Sequence, residues 1–195
     1  MGCVAVGGRY AGSIEAGDRL RPEAAPAVAR LAAMGIRSSL LTGDREAAAS
    51  RVALAAGIDS MDVHAGLSPE EKAAAVARFR SGAFAVAMVG DGINDAPALG
   101  AADVGIALGT GADVALEAAD VALTASDLMA VPAALALARR TRRIVRQNLG
   151  WAVGYNLLAV PLAAAGVLHP ILAALAMALS SVSVLANSLR LSRPA

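Results

Sequence analysis

Two aspartates, Asp91 and Asp95, share one short loop, Gly90-Asp91-Gly92-Ile93-Asn94-Asp95. The loop follows an apolar run, Ala83–Val89, whose unbroken hydrophobicity predicts a buried parallel strand. Hard carboxylate oxygens at the mouth of a strand suit Mg²⁺, which takes one or two carboxylates together with phosphate oxygens. The glycines let the backbone turn sharply and approach a ligand closely. Upstream, Thr42-Gly43-Asp44 offers a hydroxyl and backbone N–H groups to phosphate oxygens. Alone, that triplet is an ordinary turn. Lys72, the only lysine among 17 basic residues, offers a point charge for a phosphate. Asn94 is placed to hydrogen-bond a phosphate or to order the loop. Donors, a cation and a Mg²⁺ site that offsets charge are the parts that phosphoryl transfer needs. No GxxxxGK[ST] occurs, so this is not a P-loop enzyme.

Residues 19–130 must position these groups, and they read as an alternating α/β domain. Arg37–Thr42 predicts a strand, and Arg45–Ala56 a helix closed by Gly57. Met61–His64 predicts a short strand. Ser68-Pro69-Glu70-Glu71 is a helix start, with serine at the cap, proline next and glutamate at the third helical position. That helix runs to about Phe79, Ala83–Val89 follows as a strand, and Ala96–Ala101 is a helical turn. Val104–Ala107 predicts a strand, Asp113–Ala118 a helix and Asp120–Leu123 a last strand. Active sites in such sheets lie at the carboxyl ends of the strands, where Thr42 and Asp91 both fall.

Charge divides the chain. Residues 1–138 hold all 16 carboxylates and ten basic residues, whereas residues 139–195 hold seven arginines and no acid. The net +1 conceals a formal −6 beside a formal +7. The basic part is otherwise apolar, which argues against nucleic acid as a partner. A single cysteine, Cys3, excludes an internal disulfide and any Cys-pair metal motif. Met1–Arg9 has no long apolar stretch of the signal-peptide kind.

Leu149–Leu168 is uncharged over 20 residues, about 30 Å as a helix and the thickness of a bilayer core. His169-Pro170 is a short break, and Ile171–Asn187 is a second uncharged run. Arg139, Arg140, Arg142, Arg143 and Arg146 precede the first run, and Arg190 and Arg193 follow the second. Positive outer flanks predict both termini in the cytoplasm and the turn outside. Pro161 would break a soluble helix and is tolerated in membranes.

The stretch Met88–Leu99, "MVGDGINDAPAL", resembles the fourth motif of the haloacid dehalogenase superfamily in the form seen in P-type ATPases. The order of Thr42, Lys72 and the paired aspartates fits that superfamily. The resemblance extends along nearly the whole chain, to the C-terminal part of a heavy-metal P-type ATPase, most like the copper-exporting branch. Gly12–Pro22, "GSIEAGDRLRP", looks like the approach to the phosphorylation domain. Gly109–Leu123, "GTGADVALEAADVAL", is similar to the stretch after the Mg²⁺ loop. Ile144–Asn156, "IVRQNLGWAVGYN", and Met177–Leu191, "MALSSVSVLANSLRL", look like the last two membrane helices.

The resemblance implies an α/β, haloacid-dehalogenase-like Rossmannoid domain followed by a two-helix transmembrane hairpin. Its expected parts are a tail of the nucleotide-binding domain (1–18), the phosphorylation domain (19–130) and a basic linker helix (131–148). Transmembrane helices (149–168 and 171–188) and a cytoplasmic tail (189–195) complete it. It implies Thr42, Gly43, Asp44, Lys72 and Asn94 as catalytic residues and Asp91 and Asp95 as Mg²⁺ ligands. ATP is expected to be bound mainly by a nucleotide domain outside this chain. Tyr155 and Asn156 on one span, with Met177, Ser180 and Ser181 on the other, match the copper branch. A thioether is a soft ligand for Cu(I). Neither span holds an acidic residue, which departs from the zinc branch; silver is not separated from copper. Expected partners are the lipid bilayer, the remaining half of the ATPase and a copper chaperone, in a multi-pass protein of the cell membrane.

The family's nucleophilic aspartate stands in a DKTGT motif, and its membrane copper site includes Cys-Pro-Cys; residues 1–195 hold neither. The chain by itself is therefore expected to be inactive. Two other readings stay open: an inert membrane fragment that binds metal or a partner chain, and a free-standing phosphatase. The phosphatase would need a DxD motif near its N-terminus, and none occurs.

Overall fold

The computed structural model describes residues 2–14, 20–82, 84–91, 93–109, 117–166 and 169–192. The chain divides into two compact units, Met1–Pro132 and Ala133–Ala195.

The first unit opens with an antiparallel hairpin, β1 (Gly2–Val6) and β2 (Arg9–Ile14), with a register break at Val4/Ala5. It continues through α1 (Ala24–Ala33), β3 (Leu40–Leu41), α2 (Glu46–Ala56), β4 (Val63–His64) and α3 (Pro69–Arg80). Then come β5 (Ala87–Gly90), α4 (Ala96–Ala101), β6 (Val104–Leu108) and β7 (Val121–Leu123). β3 and β4 pair in parallel, and β5, β6 and β7 form a second parallel sheet in that order. Each parallel step is bridged by a crossover, as parallel pairing requires. The alternating α/β pattern expected over residues 19–130 is therefore present.

The strands are shorter than the apolar runs predict. Arg37–Thr42 narrows to Leu40–Leu41, which among the described residues pairs with one strand, β4. Residues 84–86 stand outside β5, and the strand gains Gly90 at its other end. Met61–His64 divides into a 3-10 turn, Ser60–Asp62, and β4. Most of the helix expected at Asp113–Ala118 lies outside the described residues.

Local chemistry explains the helix ends. Ser68 accepts the Glu71 N–H (3.2 Å), and the Glu71 carboxylate accepts the Ser68 N–H (2.8 Å), closing the expected capping box. Gly57 closes α2 at φ +77°, where a side chain would be strained. The core gathers Val76 of α3, Met88 of β5, and Ala98, Leu99 and Ala102 around α4, with Leu41 of β3 packed against it. α3 and α4 thus rest on the strands that carry Thr42 and Asp91.

The long helix α5 spans Ala130–Ala164, and α6 spans Pro170–Ser188. The expected basic linker helix (131–148) and most of the first apolar run lie on one continuous helix. No proline or glycine pair stands at the junction, and Asn148 lies within the helix with its side chain bonded to Ser188 and Asn187. Pro161 lies inside α5, which ends at Ala164, short of the expected Leu168. Among the described residues one helix window, Ala174–Leu191, is long and apolar enough to cross a bilayer. The expected hairpin of two spans is supported only that far.

Candidate phosphoryl-transfer site

The loop after β3 is clasped to the loop after β4. The Thr42 N–H donates to the His64 carbonyl (3.0 Å), and the Leu67 N–H donates to the Thr42 carbonyl (3.0 Å). The Gly66 N–H donates to the Asp44 carbonyl (2.8 Å). Within the loop, the Asp44 N–H donates to the Thr42 hydroxyl oxygen (3.1 Å). A side chain at residue 43 would crowd the Leu67 carbonyl, 3.3 Å from an added Cβ, so glycine suits this turn. The TGD triplet is thus a fixed loop at a strand end.

Lys72 sits in the first turn of α3, where its N–H returns to the Ser68 carbonyl. Its ammonium donates to Asp95 Oδ1 at 2.9 Å, and both side chains are more than four-fifths buried, with exposures of 14% and 17%. Asp95 ends a 3-10 turn, Ile93–Asp95, that leads into α4. The turn doubles back onto β5 so tightly that a Cβ on Gly90 would lie 2.7 Å from Asp95 Cβ and 3.0 Å from Asp95 Oδ2. Glycine at residue 90 is what allows the second carboxylate to reach the strand end.

Asp91 follows β5 directly and accepts a 2.8 Å bond from Arg21. The same guanidinium donates to the Ser126 carbonyl at 2.8 Å, joining the loops after β5 and β7. Arg21 was not assigned a role from sequence, although it stands in the quoted Gly12–Pro22 stretch. Its only sequence signal is its position at the start of the α/β domain, ahead of that domain's first helix. Asn94 is exposed, and among the described residues its side chain holds no hydrogen bond.

The two carboxylates fit a Mg²⁺ ion by donor chemistry. Both belong to one loop, each gives one oxygen to a neighbouring cation, and hard oxygen donors are the ones Mg²⁺ prefers. Among the described residues there is no cluster of three or more His, Cys, Asp or Glu side chains. A Mg²⁺ here would need further oxygens from phosphate or water.

Beyond the loops, two acidic side chains hold the sheet. Asp103 accepts the Val86 N–H (2.9 Å) and Arg80 Nε (2.9 Å); Asp120 accepts the Gly105 N–H (2.8 Å). The Val86 amide, followed by Arg80, holds the Asp103 carboxyl below the ordinary range, with desolvation opposing. Glu70 is lowered by its own backbone N–H and by the Ser68 hydroxyl.

The residues matched to the copper branch behave differently. Asn156 donates to the Ala152 carbonyl (2.9 Å), and the Ser181 hydroxyl to the Met177 carbonyl (3.2 Å), each within its own helix. Tyr155 packs on Trp151 with ring centroids 6.4 Å apart, and Met177 is exposed. Among the described residues no hydrogen bond or ring contact joins Tyr155 or Asn156 to Met177 or Ser181. A polar seam that sequence reasoning missed lies elsewhere, between α5 and α6. Asn187 donates to Asn148 Oδ1 (2.9 Å) and Gln147 Oε1 (3.3 Å), and Asn148 donates to Ser188 Oγ (3.0 Å).

Residues 2–103 match the haloacid dehalogenase-like hydrolase family. The chain belongs to that family. It is 52% identical over 188 residues to the cation-transporting P-type ATPase B of Mycobacterium tuberculosis, covering 96% of this chain and 25% of that protein. It is 48% identical over 190 residues to the copper-exporting P-type ATPase of Staphylococcus haemolyticus, covering 97% of this chain and 24% of that one. A crystal structure of a zinc-transporting PIB-type ATPase in an E2.Pi state superposes with a TM-score of 0.83 at 44% identity. That match covers 91% of this chain and 29% of the other. These homologues are cation-transporting P-type ATPases, and this chain spans about a quarter of the length of the curated ones.

Proposed function

We propose that residues 1–195 supply the Mg²⁺-binding half of a phosphorylation domain and the adjoining membrane helices of an ATP-driven Cu(I) exporter. The observation that carries this reading is the Lys72–Asp95 pair beside Asp91, at the carboxyl end of β5. Bound Mg²⁺ would offset the charge of a transferring phosphoryl group. Asp91 and Asp95 would hold it. Lys72 would keep Asp95 oriented and face the phosphate, and the Thr42 hydroxyl with neighbouring N–H groups would orient phosphate oxygens. The carboxylate that takes the phosphoryl group as an aspartyl ester would come from outside residues 1–195, and ATP would be held mainly there. Met177 with Tyr155, Asn156 and Ser181 would offer soft and polar ligands to Cu(I) once other membrane helices close around them. A copper chaperone would deliver the ion on the cytoplasmic side, where the arginine flanks would put the ends of α5 and α6 that carry them.

A chimera tests this. In the Staphylococcus haemolyticus ATPase, the aligned quarter is replaced by residues 1–195, and phosphoenzyme formation from labelled ATP is followed. The chimera should form an acid-stable, Mg²⁺-dependent phosphoenzyme. Asp91→Ala should abolish it, and Lys72→Met should lower its rate by about a hundredfold or more. Turnover stimulated by Zn²⁺ and not by Cu(I) would overturn the copper assignment alone. ATP hydrolysis by residues 1–195 alone, lost in Asp91→Ala, would overturn the external nucleophile.

A further inference from the structure

Arg21 bridges two loops of the first unit. Its Nη2 donates to Asp91 Oδ2 and its Nη1 to the Ser126 carbonyl, each at 2.8 Å. The acceptors follow β5 and β7, which flank β6 in the sheet. Two strand spacings separate the roots of those loops by about 9–10 Å. A planar guanidinium with a donor on either side is suited to such a gap. Both sides of the bridge are seated. The Arg21 carbonyl accepts the Ala24 N–H (3.0 Å), in the turn that leads into α1, whose Ala24 and Ala27 are buried. Opposite, the Gly109 N–H donates to the Leu123 carbonyl (2.7 Å), and a Cβ on Gly109 would lie 3.1 Å from Ser126 Oγ. Ser126 precedes the turn that opens α5. Asp127 Oδ1 accepts the Met129 N–H (2.7 Å), and the Asp127 carbonyl accepts the Ala130 N–H (3.0 Å).

These bonds divide the oxygens of the two loop carboxylates. Asp91 gives Oδ2 to Arg21, and Asp95 gives Oδ1 to Lys72. Among the described residues Asp91 Oδ1 and Asp95 Oδ2 hold no hydrogen bond. One oxygen of each carboxylate thus fixes its orientation, and the other stays open. Asp95 is also confined by burial, whereas the Asp91 side chain is more than half exposed and has Arg21 as its restraint. Hydrogen-bonded partners of metal-ligating carboxylates commonly matter by about ten- to a hundredfold in metal affinity. Repulsion between the guanidinium and a metal ion acts in the other direction, but solvent and salt screen it at so exposed a pair.

We propose that Arg21 is a positioning residue for Mg²⁺. It holds Asp91 by Oδ2 with Oδ1 open to the metal, and it ties that carboxylate to the backbone just ahead of α5, so that metal binding is felt at Ser126. The inference rests on the reading of Asp91 as a Mg²⁺ ligand. Lysine is no substitute, because an ammonium is a point charge on one atom and lacks the fork that serves both acceptors.

Mg²⁺ is titrated into the isotope-labelled full chain in neutral micelles, and amide shifts are followed at Asp91 and at Ser126–Met129. In the parent both sets should move with one dissociation constant. Arg21→Ala should raise that constant about tenfold and silence the Ser126–Met129 shifts. The urea midpoint of the first unit should stay as in the parent, since an exposed ion pair adds little stability. Arg21→Lys should bind Mg²⁺ with intermediate affinity and also silence Ser126–Met129. Unchanged or tighter Mg²⁺ binding in Arg21→Ala overturns the proposal, as does a lysine variant that matches the parent in both readouts. A midpoint that falls together with the affinity overturns it too, because the loss would then be one of folding. Asp91→Ala checks the underlying reading separately. If it binds Mg²⁺ as the parent does, Asp91 is not a ligand, and the role of Arg21 falls with it.

Discussion

Gly90 and Asp95 show how closely this site is built. An alanine Cβ at residue 90 would lie 2.7 Å from Asp95 Cβ, inside van der Waals contact, so either the loop or the side chain must move. Asp95 cannot retreat without stretching its 2.9 Å bond to Lys72. Gly90→Ala should therefore destabilise the first unit by about 1–3 kcal/mol, the ordinary cost of overpacking. It should also weaken Mg²⁺ binding. Urea midpoints and calorimetric Mg²⁺ titration check this, and an unchanged midpoint with unchanged Mg²⁺ affinity would show that the loop has room to spare. Arg21 contributes differently. Its bond to Asp91 joins side chains that are 44% and 55% exposed, so it positions a loop and adds little stability.

The ends of secondary-structure elements carry a pH signature. Asp103 at the head of β6 and Glu70 at the head of α3 both have carboxyl groups lowered in the folded state, by the Val86 amide and by the Glu70 amide respectively. A lowered folded pKa stabilises above the unfolded pKa, and the contribution drains away as pH falls through the folded one. The small part of the first unit's stability that these two carboxyls supply should be present at neutral pH and drain away below about pH 4. Asp103→Asn should flatten part of that slope in urea titrations run across the acid range; a slope identical to the parent would remove Asp103 from the account. In the second unit, the Asn148–Asn187–Ser188 seam ties α5 to α6. A double-mutant cycle on Asn148→Ala and Asn187→Ala in micelles should give a coupling near ~1 kcal/mol, the scale of interhelical hydrogen bonds in membranes. Additive effects would show that the seam is incidental.

Taken whole, the chain joins an acidic α/β unit to a basic helical one. Each has its own internal contacts, so each should unfold on its own terms. Urea added to the chain in neutral micelles should remove the circular-dichroism signal of the first unit while Trp151 fluorescence, which reports the second, stays constant. Coincident transitions by both probes would instead show one cooperative block.

By itself the sequence determined what depends on near neighbours. The Ser68 capping box, the Gly57 helix end, the Asp91–Asp95 loop and the charge asymmetry were all legible, because capping and turn chemistry act over a few residues. The family resemblance ordered Thr42, Lys72 and the aspartates, but did not bring any two together. The tertiary structure decided that Lys72 meets Asp95 across 23 residues, that Arg21 meets Asp91 across 70 and that Asn148 meets Ser188 across 40. Such pairs depend on crossover topology and helix packing, which leave no trace in local spacing. The apolar runs likewise overstated the strands. Hydrophobicity marks what can be buried, whereas strand length is set by hydrogen-bonding neighbours, and among the described residues Leu40–Leu41 pairs with β4 alone. The change of charge near residue 149 likewise leaves no mark on the backbone, whose helix α5 continues from Ala130 to Ala164.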